Sequence, residues 1–417
     1  MLSPRDVIAD IRRRYRVDAP VGDDDPYREM AGGLLPLVTD ELYESRTHFF
    51  RELLQNADDN LYAEGVVPTL QLIAHPTSLV LANNETGFEE KHVRALCNAA
   101  KSTKKDRKDG ATGEKGIGFK AVFQISDRPE IRSNGYHFRF DKNKHGAFGT
   151  VIPEWIESAS ENAGTSIILP LRKDYRLPPD FLKSLQPELL LFLRRLKRID
   201  FRDADYGQTL FLQRNDDGPT VEVVRTVTDD VEKQRRGEQR HCFRGHQKRI
   251  SMADLREDRR LNIAATNVAV ALALDAHGGI DEGKSRVLFA FLPVKDSGFR
   301  FLAHADFVFA TSREAVREDL PWNIRLRDSL GDCLAEAILG CRSKSPPGAT
   351  ALRVLTDPKA VVDPFLRGVL LRAITLLGEE ECVPTIGGHG FAPGTRSSLM
   401  AMACSDSFPR RMPRHFW

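Results

Sequence analysis

The sequence predicts an α/β protein of two or three domains. Three observations support this. A helix-like amphipathic stretch spans Glu41 to Leu61. Short β-rich runs follow at Thr69–Ala74, Leu79–Ala82 and Gly164–Leu171, and strand and helix patterns alternate from about residue 185 to 345. With 417 residues, 41% of them hydrophobic and 29% charged, the chain has ample material for buried cores. Sixty-one basic residues against 59 acidic ones give a net charge of +2, which argues against wholesale attraction to nucleic acid or membranes. The six cysteines are widely spaced with no CxxC, so a disulfide framework or structural zinc is not expected and the thiols read as reduced and intracellular, cytoplasmic or nuclear. The opening MLSPRDVIADIRRRYRVD lacks a continuous apolar h-region, and no later run approaches membrane-spanning length.

Taken in order, Val7, Ile8 and Ile11 flank Arg12, Arg13 and Arg14 at helical spacing, which predicts an amphipathic helix in an N-terminal segment, residues 1–40. In the next helix Glu52, Asn56 and Asp59 fall within roughly 60° of one another at about 100° per residue, while Phe50, Leu53, Leu54, Ala57 and Leu61 share another arc. Arg51, Gln55 and Asp58 are read as the exposed side, so the Glu52 stripe borders the apolar face and looks into a pocket. A carboxylate at 52 can orient and deprotonate a water, and the Asn56 carbonyl oxygen can help hold a hard divalent cation. The alternative is a solvated polar face.

After the two short β-runs, separated by the turn His75-Pro76-Thr77-Ser78, the strand delivers Asn83 to the polar loop Asn83-Asn84-Glu85-Thr86-Gly87-Phe88. Lys91–Ala100 reads as a helix and Lys101–Thr112 as a basic, mobile cover. Gly113-Glu114-Lys115-Gly116-Ile117-Gly118-Phe119-Lys120 then precedes the apolar Ala121-Val122-Phe123, an arrangement whose amides and helix terminus could cradle phosphate. It is not a P-loop, because Phe119 stands where Lys and Ser or Thr are needed, and no strand precedes it as a dinucleotide fingerprint requires. By itself it is equally a tight structural turn.

Together and in order, ELLQNADDN, NNETGF, AKSTKK with GEKGIGF, and GTSIIL resemble the N-box and three glycine-containing boxes of the GHKL ATPases, the class of gyrase, heat-shock chaperones, histidine kinases and MutL. HFFRELLQNADDNLY, RALCNAAKSTKK, GEKGIGFKAVFQISD and RPEIRSNGYHFRFD are similar to the sacsin and NO VEIN branch of that class. The resemblance implies a Bergerat-type ATPase fold over residues 41–180, an α/β sandwich with a mixed, mostly antiparallel sheet and helices on one face. It implies ATP and Mg²⁺ as ligands. Glu52 matches the water-activating glutamate, Asn56 the magnesium-holding asparagine and Asp59 a pocket acid. Gly87 belongs to the second box. Lys101 and Ser102 match lid-side residues that meet phosphates. Gly113, Gly116, Ile117, Gly118 and Phe119 match the phosphate loop, and Thr165 matches the threonine that helps read adenine. One departure stands out: Asn83 occupies the place of the usual adenine-reading aspartate, and Glu85 that of the first glycine. A neutral amide still accepts a hydrogen bond, though usually less strongly than a carboxylate.

FLPVKDSGFRFLAHADFVFATSREAVRED resembles the segment after the ATPase module, which implies a transducer-like α/β domain at 185–345 with Arg313, or second Lys295, reaching back to the terminal phosphate; an ordinary surface arginine is the alternative. Within this domain Leu210–Leu212, Val268–Leu274, Val287–Phe291 and Arg300–Leu302 read as strands and Asp229–Arg240 as a surface insertion. His241, Cys242 and His246 have metal-ligand chemistry, but Arg240, Arg244, Lys248 and Arg249 would repel a cation. Residues 346–417 read as an extension with a helix at Pro364–Leu377 and a disordered end, short of the family's longer members. The resemblance thus implies slow Mg-dependent ATP hydrolysis driving lid and domain closure in a chaperone-like protein. It acts on an unknown protein partner or client, with a homodimer compatible and no membrane or specific nucleic acid. The alternative is a nucleotide-gated interaction scaffold without significant turnover. A histidine kinase is disfavoured because no phospho-acceptor helix precedes the module, and a topoisomerase or mismatch-repair role because DNA-cleavage elements are missing.

Overall fold

Ser3 caps the first helix, α1 (Pro4–Arg14), through a reciprocal capping box with Asp6, and Pro4 takes the first helical turn, where its missing N–H costs nothing. Its apolar side, Val7, Ile8 and Ile11, is buried as the spacing predicts. The computed structural model describes residues 2–16, 32–33, 35, 48–98, 118–157, 164–178, 181–205, 207–229, 234–255, 257, 260, 263–281, 283, 285–309, 316–342, 351–384, 391–395 and 397–399. The C-terminal SDSFPRRMPRHFW lies outside these residues. The chain divides into two compact units, Met1–Arg214 with Val224–Gln239, and Asn215–Val223 with Arg240–Trp417.

In the first unit α2 (His48–Asp59) is followed by β1 (Thr69–His75), β2 (Ser78–Asn83) and α3 (Glu90–Leu96). A 3₁₀ helix, Gly118–Gln124, precedes β3 (Glu130–Ser133), β4 (Tyr136–Phe140), β5 (Pro153–Trp155), β6 (Thr165–Pro170), β7 (Arg198–Asp203) and β8 (Gln208–Asp217). Across the sheet the order is β8-β7-β1-β2-β6-β3-β4-β5. Only the β1–β7 pair is parallel in this series; β1–β2, β2–β6, β6–β3, β3–β4, β4–β5 and β7–β8 are antiparallel. This is the mixed, mostly antiparallel sheet expected of the family. Leu70 and Leu72 of β1, Leu79 and Leu81 of β2, Ile131 of β3 and Leu169 of β6 alternate into its buried face.

Two expectations about α2 are corrected. Asp58 is not on an exposed side but is 2% exposed. Its carboxylate accepts the backbone N–H groups of Arg194 (2.9 Å), Arg195 (2.8 Å) and Leu196 (2.9 Å). Burial raises its pKa, against the pull of those three donors and with the Asp59 charge adding to the rise. Leu61 does not join the apolar arc: the helix stops at Asp59, which leaves Leu61 beyond it and exposed.

In the second unit β10 (Gln234–Ser251), which begins in the first, pairs with β11 (Ala265–Leu274), and β11 pairs with β14 (Leu302–Ala305). The strand β12 (Arg286–Ala290) lies parallel to β14 and antiparallel to β13 (Leu292–Phe299). The proposed surface insertion at Asp229–Arg240 is corrected here. β9 (Thr220–Asp229) ends where it was to begin, and β10 already runs from Gln234. Its stretch Gly237–Arg240 is exposed, so a charged sequence is compatible with strand there. Likewise Arg300 and Phe301 form a bend, and the strand begins at Leu302.

Two helices, α4 (Pro321–Leu339) and α5 (Pro364–Leu377), supply the second core with Leu326, Leu330, Leu334, Leu366, Val369 and Leu370 against Val268, Val270 and Leu272 of β11. α5 has the bounds read from sequence. The fully buried Asn323 holds the loop before α4 by taking the Val308 N–H on Oδ1 (2.9 Å) and donating from Nδ2 to the carbonyls of Val308 (2.7 Å) and Arg317 (2.8 Å). Among the described residues no helix is long and apolar enough to cross a membrane.

Candidate functional site

Every residue of the NNETGF loop but one finds a protein partner or a conformational reason. Asn84 clamps the start of β1: its Oδ1 accepts from Thr69 N–H (2.8 Å) and its Nδ2 donates to Val67 O (2.9 Å). Thr86 N–H donates to Leu61 O at 2.9 Å, tying the loop to the chain just after α2. Gly87 has φ +91°, and a Cβ there would lie 2.6 Å from the Asn134 Cβ, so only glycine fits both the conformation and the approach. Phe88 N–H donates to Ser133 Oγ at 2.8 Å, and Asn134 Nδ2 donates to Phe88 O at 3.0 Å. Glu85, buried, accepts the Thr165 hydroxyl. The exception is Asn83, whose side-chain Oδ1 is buried with no hydrogen-bond partner among the described residues. A buried acceptor left without a donor costs about 1–3 kcal/mol and calls for an explanation.

Strand register places Asn83 in company. It pairs with Thr165 across β2–β6, and Thr165 pairs with Ser133 across β6–β3. Thr165 and Ser133 are both buried and their hydroxyls lie 2.5 Å apart. Gly164, at φ +83°, lets the chain enter β6 with no Cβ against Asn83 O, which would otherwise stand 2.1 Å away. The sequence thus supplies glycine where the backbone of β6 presses on β2.

The second half of the site is built by α2 and the 3₁₀ helix Gly118–Gln124, which pack together. Glu52 is buried at 6% exposure, Asp59 at 1%, and Asn56 is half-buried. At Gly118 a Cβ would fall 2.2 Å from Glu52 Oε2, so the last glycine of the loop lies directly against the Glu52 carboxylate. Tyr62 connects the halves: its hydroxyl donates to Ala57 O at 2.8 Å, and its pKa is raised by burial and then by the Glu85 charge.

Phe119 turns its ring into an aromatic cluster with Phe140, centroids 5.9 Å apart, and so presents only its backbone to any ligand. Lys120 is also buried: Nζ donates to Leu96 O (2.6 Å) and Thr150 O (2.5 Å) and stands 4.8 Å from the Phe140 ring centroid. Burial pulls its pKa down to about 8. The ammonium ties the last turn of α3 to the chain around Thr150 while holding the 3₁₀ helix that carries Gly118.

Of the residues read from sequence, Glu52, Asn56 and Asp59 share α2 with Gly118 beside Glu52, while Thr165 bonds Glu85 and pairs across the strands with Asn83, and Gly87 lies against Asn134. Lys101, Ser102, Gly113, Gly116, Ile117 and Arg313 lie outside the described residues. Lys295 forms an ion pair with Asp363, Nζ to Oδ2 at 2.5 Å, at the cap of α5. His246 meets Glu336 at 3.0 Å. Sequence reasoning missed Ser133 and Tyr62 as site neighbours and Asp58 as a clamp. For Asp58 a signal was present: an acid in the last turn of a helix opposes the macrodipole and needs another partner.

The family reading that the order of these segments suggests is met by comparison with known proteins. A sacsin-domain profile matches residues 39–152, and the chain is 37% identical to Protein NO VEIN of Arabidopsis thaliana over 322 residues, 70% of this chain and 11% of that protein. The chain belongs to the sacsin and NO VEIN-like branch of the GHKL superfamily. More distant similarity joins this sacsin-like chain to Chaperone protein HtpG of Rhodopseudomonas palustris (strain BisB18), 28% identical over 178 residues, 36% of this chain and 29% of that one. It is also 26% identical over 188 residues to Chaperone protein HtpG of Chlorobium phaeobacteroides, 38% of this chain and 30% of that one. The sacsin-like chain therefore matches about a tenth of the NO VEIN protein's length and under a third of either chaperone.

Proposed function

We propose that this chain binds ATP with Mg²⁺ and hydrolyses it slowly, using the turnover to drive closure of the ATP-binding domain, residues 41–180, and of a transducer-like domain, 185–345. The observation that carries the reading is the Glu52 carboxylate lying directly against Gly118: a buried acid and the end of a glycine loop meet at one point. Glu52 orients and deprotonates the attacking water. The loop amides up to Gly118 and Phe119 bind the phosphates, as a glycine loop entering a helical turn can. Among the described residues Asn83 Oδ1 has no partner, which suits an acceptor reserved for the amino group of a base. Asn56 offers its carbonyl oxygen as a magnesium ligand, and Asp59 polarises the same helix face. Bound magnesium supplies charge neutralisation at the phosphates. Catalysis of this kind rests on positioning and electrostatics rather than on covalent chemistry.

The test is magnesium-dependent phosphate release from ATP by the 417-residue chain. Release that stops on chelation supports the reading, and its absence in a chain that binds ATP moves the assignment to the alternative, a nucleotide-gated scaffold. That alternative is favoured by one feature, the neutral Asn83 beside the buried Glu85. Under either reading the product of closure is a changed surface for a protein partner or client, or for a second copy.

A sharper consequence concerns Gly118→Ala. The atom displaced is the end of a flexible side chain, so stability should change by less than about 1 kcal/mol. The Glu52 carboxylate must swing aside, however, and turnover should fall about a hundredfold, the usual cost of a misplacement near 1 Å. Urea unfolding and steady-state phosphate release check the two halves, and unchanged turnover would remove Glu52 from the reaction.

A further inference from the structure

The polar row at the end of β2, β6 and β3 has a fixed hydrogen-bond polarity at one end and none at the other. Thr165 has a single hydroxyl proton, and it goes to Glu85 Oε1. The Ser133 hydroxyl must therefore be the donor in its contact with Thr165 Oγ1, and Ser133 Oγ in turn accepts the Phe88 N–H. The chain of donors runs Phe88 to Ser133 to Thr165 to Glu85, so Thr165 can meet a ligand only as an acceptor. Asn83 is the opposite case. Among the described residues its Oδ1 is buried without a partner, so no hydrogen bond shown there holds that end of the amide in place. A half-turn of the carboxamide puts an N–H at the same buried point, with almost no change in shape.

From this geometry we propose that the site selects purines loosely at position 6, and admits 6-oxopurine nucleoside triphosphates alongside ATP, with Asn83 as the residue that relaxes the choice. The inference rests on the ATP-binding reading and deepens it. An adenine amino group donates to Asn83 Oδ1. A 6-oxo group accepts from Asn83 Nδ2 after the amide turns. A carboxylate at position 83 has no such freedom: it only accepts, and it would set its lone pairs against those of the 6-oxo oxygen. Sites built for one hydrogen-bond polarity reject the mismatched analogue strongly because buried polar groups are left unpaired.

The test is calorimetric titration of the full chain with ATP and with inosine triphosphate, for the native protein and for Asn83→Asp. The native chain should bind the two within about tenfold of one another, whereas Asn83→Asp, equal in size, should bind ATP at least as well and inosine triphosphate more weakly by about a hundredfold or more. Native rejection of inosine triphosphate by a hundredfold, with ATP still bound, overturns the inference and leaves the ATP reading standing. Equal tolerance in native and Asn83→Asp overturns the role of Asn83. A folded native chain that binds neither nucleotide overturns the ATP reading and this inference together. Should the variant not fold, the native ratio alone decides.

Discussion

Glu52→Ala should lower phosphate release from ATP by roughly 10²–10⁴-fold, the range a positioned general base contributes, while ATP affinity stays within a few-fold of native. The separation follows from the two halves of the site. The groups assigned to the nucleobase, Asn83 and Thr165, pair across β2 and β6, whereas Glu52 stands on α2 against Gly118. Removing the carboxylate also opens space against Gly118 rather than creating a clash. Glu52→Gln, which keeps the shape and the hydrogen-bonding capacity but cannot take a proton, should be nearly as slow. Steady-state phosphate release and calorimetric ATP binding on the same preparations check the split. Turnover equal to native in Glu52→Ala would end its assignment as the base.

The largest stability effect is expected at Asp58. Its two carboxylate oxygens satisfy three consecutive backbone N–H groups, those of Arg194, Arg195 and Leu196, at the entry to β7. Leu196 is fully buried, so water does not readily replace the lost acceptor there. Asp58→Ala should cost about 3–5 kcal/mol, because hydrogen bonds to a charged group are worth about 1.5–3 kcal/mol each and unpaired buried donors add their desolvation penalty. The sum is held below simple addition because burial of the carboxylate is itself unfavourable, as its raised pKa records. Asp58→Asn keeps one oxygen and should fall between native and Ala. Urea unfolding measures all three, and a loss under about 1 kcal/mol for Asp58→Ala would show that the clamp is dispensable.

Much of the fold is legible in the sequence because local pattern and tertiary role agree. The α1 face of Val7, Ile8 and Ile11, the two strands around the Pro76–Thr77 turn, the strand entered through Gly164-Thr165 and the helix Pro364–Leu377 all follow periods and punctuation that the fold keeps. The helix α2 is less legible for a physical reason. It is enclosed on nearly every side, so Glu52, Asp58 and Asp59 are buried along with Phe49, Leu53 and Leu54, and amphipathic angle alone cannot sort a clamp from a site. The long strand from Gln234 was hidden because its exposed residues carry charge without alternation. Ser133 and its link to Thr165 depend on register between strands more than thirty residues apart, information that a local pattern does not hold. The glycines are the converse case: Gly87, Gly118 and Gly164 each mark a point where a Cβ would strike a neighbour, and all three belong to the boxes on which the resemblance rests.

The most direct measurement of the central claim is calorimetric titration of the folded 417-residue chain with ATP, with and without magnesium. The account predicts saturable binding at one site that strengthens when magnesium is present and is retained in Glu52→Ala. No heat of binding from millimolar ATP in either condition, from protein whose cooperative unfolding shows it to be folded, would contradict it.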